Sequence, residues 1–160
     1  MLKFEEQMVE EERINRCMVA LSVRQPWADL IYIERKWFET RTWNAKLRGD
    51  FLLHASAKIE NRILETFLDN GYFDPDRFGS YSDFCKWHDR KFQTGAAIAV
   101  VNLFDCRPML RGHEIGACCE VYPRAHAFYL RNVRPIEPIQ MKGKLNFFKT
   151  NILPEDLNFV

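Results

Sequence analysis

The chain has 160 residues and a mass of 19.0 kDa, enough for one domain with a sound core and too little for two large ones. Hydrophobic residues at 47% and aromatics at 14%, including 13 Phe and 4 Trp, exclude a disordered chain. A net charge of +1 excludes steering to DNA or an anionic membrane by bulk charge, so any polyanion site must be local.

Residues 1–17 hold Glu5, Glu6, Glu10, Glu11 and Glu12 among sparse apolar residues, and predict an acidic helical extension ahead of a single domain over 18–160. Ala20 to Val23 reads as a short buried strand. Gln25-Pro26-Trp27 opens a helix whose apolar positions Trp27, Leu30 and Ile31 recur at helical spacing, with proline in the first turn where its missing N–H costs nothing. The chain then turns at Glu34-Arg35 into a charged strand, expected over Trp37 to Trp43. A period of two puts Trp37, Glu39, Arg41 and Trp43 on one face and Phe38, Thr40 and Asn44 on the other. Lys36 stands just before it, within reach of the Glu39 carboxylate. Charges placed among tryptophans need partners.

Asp50 to Ser56 reads as a buried strand, and Ile59, Ile63, Leu64, Phe67 and Leu68 mark a helix stopped by Asn70-Gly71. Residues 71–94 read as a turn and a short helix inserted between strands, placed to act as a lid. Gly95 to Phe104, small and β-branched, is the strongest strand and is expected to be central. Pro108, Gly112 and Gly116 break the chain into a loop. Ala125 to Val133 and Leu145 to Thr150 are the last expected strands, joined through Pro135, Pro138 and the basic turn Lys142-Gly143-Lys144. Short strands, few helices and many turns predict an α+β fold, a small barrel with peripheral helices.

Five cysteines, an odd number without a C-x-x-C pair, fit a reducing compartment. The chain shows no run of about 18 apolar residues, and its start is acidic where a signal peptide is basic and then apolar. A cytoplasmic location and no membrane partner are expected. His113, Cys118, Cys119 and Glu120 are the one cluster resembling metal ligands, but vicinal cysteines are poorly spaced for one tetrahedral ion, so neither metal nor cofactor is expected.

From Arg35 to Lys58 six cations face two carboxylates, with Trp37, Trp43 and Phe51 interleaved. Single-stranded nucleic acid asks for this combination, cations for phosphates and rings for bases. Lys36 and Arg41 are expected to take phosphate or a base acceptor, Glu39 to orient both, and Trp27 or Trp43 to stack. Arg24, Arg48 and His54 complete the expected mouth. The same groups admit an enzyme, with Lys36 and Glu39, helped by His54, hydrolysing a nucleoside amide or RNA without metal.

Leu-Ser-Val-Arg-Gln-Pro-Trp-Ala at 21–28, Lys36-x-x-Glu39-x-Arg41 with Trp43, Arg48-Gly49 before Leu52-Leu53-His54-Ala55-Ser56, and Tyr129-Leu130-x-Asn132-Val133-x-Pro135 before Lys142-Gly143-Lys144-Leu145 together resemble the ASCH domain, the activating-signal-cointegrator homology family. The resemblance runs from Met18 to Thr150. It implies a PUA-like β-barrel of about five to seven strands with a cleft lined by Gly-x-Lys-x-x-Glu-x-Arg, whose charged positions fall on Lys36, Glu39 and Arg41. It further implies binding of single-stranded RNA, other nucleic acid or a nucleotide. A branch similar to amidohydrolases acts on acylated nucleosides, and other members resemble ribonucleases. That amidohydrolase branch is expected to carry Thr where this chain has Glu39. Glu34 also departs from the pattern, standing where glycine would suit a turn with positive φ.

Overall fold

A computed structural model describes residues 2–59, Asp83, Lys86 and 92–160. Helix α1 (Leu2–Arg16) leads into strand β1 (Val19–Gln25), helix α2 (Trp27–Tyr32) and strands β2 (Phe38–Arg41), β3 (Gly49–Ile59) and β4 (Ala96–Pro108). A 3-10 turn (Arg111–His113) and the four-residue helix α3 (Glu114–Ala117) precede strands β5 (His126–Gln140) and β6 (Phe147–Lys149). The helix expected from Ile59 and the insertion expected over 71–94 lie outside the described residues, apart from Asp83, Lys86 and 92–94. Among the described residues, no helix is long and apolar enough to cross a membrane.

The six strands form one mixed sheet in the order β2-β5-β4-β3-β1-β6, with β1 parallel to β3 and the other pairs antiparallel. The small and branched strand β4 is central, as its composition demands, between β3 and β5. Both faces of the sheet are covered. Leu21, Phe51, Leu53, Leu103 and Phe128 fill one core, and Ala20, Leu52, Val100, Ile136 and Phe148 fill a second. Alternation along β3, with Phe51 and Leu53 to one side and Leu52 to the other, is the period of two at work.

The strand number matches the expectation, but closure into a barrel is not present in the hydrogen bonding. Strands β2 and β6 are the two edges of an open sheet. Both are short, four and three residues. Rings take the place of a ladder: Trp43, just after β2, packs edge-on against Phe128 at 5.1 Å and against Phe147 of β6 at 5.8 Å. Aromatic pairs at this separation add to area burial without requiring strand register.

One further strand departs from expectation. Strand β5 continues through Pro135 and Pro138 to Gln140 instead of ending near Val133. Its register against β4 shifts between Ala97 and Ala99, between Val100 and Asn102, and between Leu103 and Asp105. Such irregularities accommodate residues that cannot donate to a ladder. Helix α1 is exposed from Lys3 to Arg16 and held at its C-terminal end. There Arg16 forms a two-pronged bond with Glu155 at 2.7 and 2.8 Å, and Lys149 Nζ donates to the carbonyl of Cys17 at 3.2 Å.

The turn after α2 resolves the departure at Glu34, whose φ is +59°. The left-handed turn is made without glycine. Arg35 and Lys36 N–H groups both donate to the Leu30 carbonyl, at 2.8 and 3.0 Å, closing the helix end. A side chain in this region costs about 1–2 kcal/mol, partly offset by the greater chain entropy that glycine loses. Glu34→Gly is therefore expected to raise the urea midpoint slightly, and Glu34→Val to lower it. Equal midpoints for the two variants would show that this turn is not under strain.

Candidate functional site

The turn at Glu34 sends the Lys36 side chain inward. Its Nζ donates to the carbonyl of Ala117, the last residue of α3, at 2.5 Å and lies 3.9 Å from Glu39 Oε1 and 5.2 Å from the Trp27 ring centroid. Lys36 is 3% exposed and Glu39 6% exposed. The carboxylate is engaged from three directions. Oε1 also accepts the Thr40 N–H at 2.7 Å, and Oε2 lies 3.5 Å from Arg41 Nη2, which donates to the Ser22 carbonyl at 2.7 Å. Buried charges survive only when paired and hydrogen-bonded in this manner. The alternation expected of β2 therefore holds for Glu39 and Arg41, while Trp37 lies before the strand, half-exposed, with its Nε1 donating to the Glu34 carbonyl at 2.9 Å.

These groups line a cleft of about 1220 Å³. Its described lining brings together Arg24, Trp27, Lys36, Glu39, Arg41 and His54, six of the eight residues singled out in the sequence. Trp43 and Arg48 are elsewhere. The Trp43 ring belongs to the core between Phe128 and Phe147. Arg48 donates to the carbonyls of Ala45 and Leu47 at 2.8 and 2.9 Å and lies 3.8 Å from Asp105. Strand β2 ends at Arg41, so alternation does not carry on to Trp43, and the loop to β3 brings Arg48 to Asp105 outside the cleft lining.

His54 is 1% exposed and bonded at both ring nitrogens. Nε2 lies 2.8 Å from the Met141 carbonyl, which can only accept, so this nitrogen carries the proton. Nδ1 then accepts from Ser22 Oγ at 2.9 Å. His54 thus reaches the cleft as a support for the segment after β5. Gly143 in that segment sits so close that a Cβ would collide with Ser22 Oγ and come within 2.9 Å of His54 Cε1.

Sequence reasoning missed the rest of the lining. Lys142 and Lys144 flank Gly143, exposed at the rim with Lys58, and Leu145 projects there at 91% exposure. Tyr122 and Cys119 close the side beside Thr40, whose Oγ1 is 3.7 Å from the cysteine sulfur. Burial pushes the Tyr122 hydroxyl above its ordinary value, against the opposing hydrogen bond to Thr40, so it remains a neutral donor at physiological pH. The alternation of lysine and glycine before an exposed leucine was the one available signal for the rim. Nothing in the sequence pointed to Tyr122. In the cluster considered as metal ligands, His113 lies 2.6 Å from Tyr129 Oη and Cys118 is buried.

The ASCH domain family model matches residues 21–140, three quarters of the chain. The chain belongs to the ASCH domain family. Among solved structures, ASCH from Zymomonas mobilis is similar at 14% identity and a TM-score of 0.53, over 84% of this chain and 88% of that one. A point variant of that protein follows at 12% identity and a TM-score of 0.49, over 84% and 91%. The likeness to the first structure, at 14% identity, speaks for the fold alone. No curated protein matches this ASCH chain.

Two outcomes test the site's architecture. Lys36→Met strands Glu39 beside Arg41 and, as for other broken buried pairs, is expected to cost about 3–5 kcal/mol in urea unfolding. Adding Glu39→Gln should recover part of that loss, and independent, additive effects would show that the two groups are not coupled. Gly143→Ala is expected to cost about 1–3 kcal/mol by overpacking, with the His54 ring resonances displaced in NMR spectra. Unchanged stability and unchanged His54 signals would contradict the close approach.

Proposed function

We propose that this ASCH domain binds single-stranded RNA, with phosphates at the rim of the cleft and a base at its floor. One observation carries the reading. Among the described residues lining the cleft, six cations (Arg24, Lys36, Arg41, Lys58, Lys142 and Lys144) face the single carboxylate of Glu39, in a chain whose net charge is +1. RNA binding is also what membership of the family implies.

The roles divide by burial. Arg24, Lys58, Lys142 and Lys144 are exposed and free to meet a backbone, whereas Lys36 is committed to the Ala117 carbonyl and Glu39. Lys36 therefore serves the floor by holding Glu39 in place and adding a fixed positive charge. Glu39 and the partly exposed Arg41 offer an acceptor and a donor to a base edge, and the Trp27 ring offers a plane for stacking. Tyr122 adds a neutral hydroxyl. A lysine whose Nζ is already engaged by the Ala117 carbonyl and set beside Glu39 is poorly placed to attack a substrate, which favours binding over amide hydrolysis at this floor. The finer expectations of a PUA-like barrel and a cytoplasmic setting belong to this same reading.

If the four rim cations each neutralise a phosphate, log K for an oligouridylate should fall against log salt with a slope of roughly −3. Removing both loop lysines as Lys142→Ala with Lys144→Ala should reduce that slope by roughly 1.4, about 0.7 for each contact. Titrations by fluorescence anisotropy over a range of salt measure both. A slope near zero in the parent protein would sink the reading.

A further inference from the structure

Outside the cleft lining, strands β3, β4 and β5 carry a second assembly of cations and rings. The Asn102 amide donates to Asp50 Oδ1 at 3.0 Å and accepts from Arg131 Nε at 3.0 Å, while Arg134 Nη2 lies 2.8 Å from the same Asp50 oxygen. The hydrogen bond from Arg134 holds the Asp50 carboxyl below its ordinary value. Next along the sheet, the Arg131 guanidinium lies over the Phe104 ring at 4.6 Å, and Phe104 meets Tyr129 edge-on at 5.7 Å. Arg107 covers Tyr129 at 5.3 Å, paired with Asp105 at 2.6 Å. Phe104 nevertheless remains 41% exposed, and the structure brings Arg48 to this face through Asp105.

We propose that this face is a second contact surface for single-stranded RNA, engaging a segment of the strand whose other part fills the cleft. The inference rests on the RNA reading of the cleft and extends it to a longer ligand. Four arginines (Arg48, Arg107, Arg131 and Arg134) stand against two carboxylates, Asp50 and Asp105, so the face keeps a positive excess after its internal pairs are formed. Among the described residues Arg131 donates through Nε, which leaves the terminal N–H groups of its fork for phosphate. A guanidinium plane and a half-exposed phenyl ring are both surfaces on which bases stack whatever their sequence.

Strand β3 reaches both surfaces, although Leu52 and His54 between them are buried. Asp50 and Ser56, six positions apart, lie on the same side of the strand by its period of two, and Ser56 lines the cleft. A rise of about 3.3 Å per residue puts them about 20 Å apart, a span that a short oligonucleotide covers. Charge complementarity and exposed rings together favour a nucleic-acid strand over a protein segment.

The test compares a trinucleotide and a dodecanucleotide of uridine, both fluorescein-labelled, by anisotropy. Phe104→Ala and Arg131→Lys, the second of which keeps the charge and loses the plane, are expected to weaken the dodecanucleotide roughly 5- to 100-fold, the loss of one to a few stacked bases. The trinucleotide should be unaffected by either change, and both lengths should weaken in the Lys142→Ala, Lys144→Ala variant. Phe104→Leu, which keeps an apolar side chain on the sheet, guards against a folding defect and should behave as Phe104→Ala does. Dodecanucleotide affinity unchanged in Phe104→Leu and Arg131→Lys overturns the second surface, whatever the cleft binds. Dodecanucleotide binding that depends on Phe104 but not on Lys142 and Lys144 supports the surface while defeating the cleft reading. Displacement of the dodecanucleotide by an oligoaspartate peptide, equally in parent and Phe104→Leu proteins, would make the face a docking site for acidic protein segments and overturn the proposal.

Discussion

The carboxylate of Glu39, buried between Lys36 and Arg41, is the interaction on which the site depends. Each cation carries the connection further, Lys36 to the last carbonyl of α3 and Arg41 to the Ser22 carbonyl on β1. One anion thus ties an edge strand of four residues to a short helix and to the opposite part of the sheet. Such a cluster is costly to desolvate, and its worth lies less in net stability than in fixing one arrangement of donors and acceptors. An apolar triad would pack as well and would leave no charge for a ligand to read.

Around this floor the charge is distributed by burial. The floor cations are spent on internal partners, and the exposed ones sit on segments that the sheet delivers from far apart in sequence: Arg24 on β1, Lys58 on β3, and Lys142 and Lys144 after β5. The last pair owes its position to Gly143, whose missing side chain lets the backbone close on Ser22 and His54. His54, bonded at both nitrogens, is then better described as a support of the rim than as an acid or base. A neutral chain can present a strongly basic cleft because sheet pairing gathers cations that composition averages away.

The sheet itself is held by two cores, one on each face, and this is why its edges need not join. Hydrogen-bonded closure would oblige β2 and β6 to run longer and in register. Ring packing of Trp43 with Phe128 and Phe147 covers the gap without either demand. Trp43, one of the two tryptophans expected to stack on a ligand, is consumed in that role.

Local chemistry alone determined much of this protein. The central strand β4, the helix α2 with its proline entry, the parallel neighbours β1 and β3 as buried segments, and the grouping of Lys36, Glu39 and Arg41 were all legible, because strand and helix periods and the need of buried charges for partners act over a few residues. Glu34 stood out only through the family resemblance, as a residue where glycine would suit a left-handed turn. Tertiary structure alone decided where long side chains ended: Trp43 in the core, Arg48 with Asp105 on another face, Tyr122 and the Lys142–Lys144 loop at the cleft. It also decided that β5 would run through two prolines, since bulges against β4 are properties of the pair. The division has one physical reason, for propensity and alternation are carried by neighbours in the chain, whereas burial, strand register and the summed charge of a cleft exist only once distant segments have met.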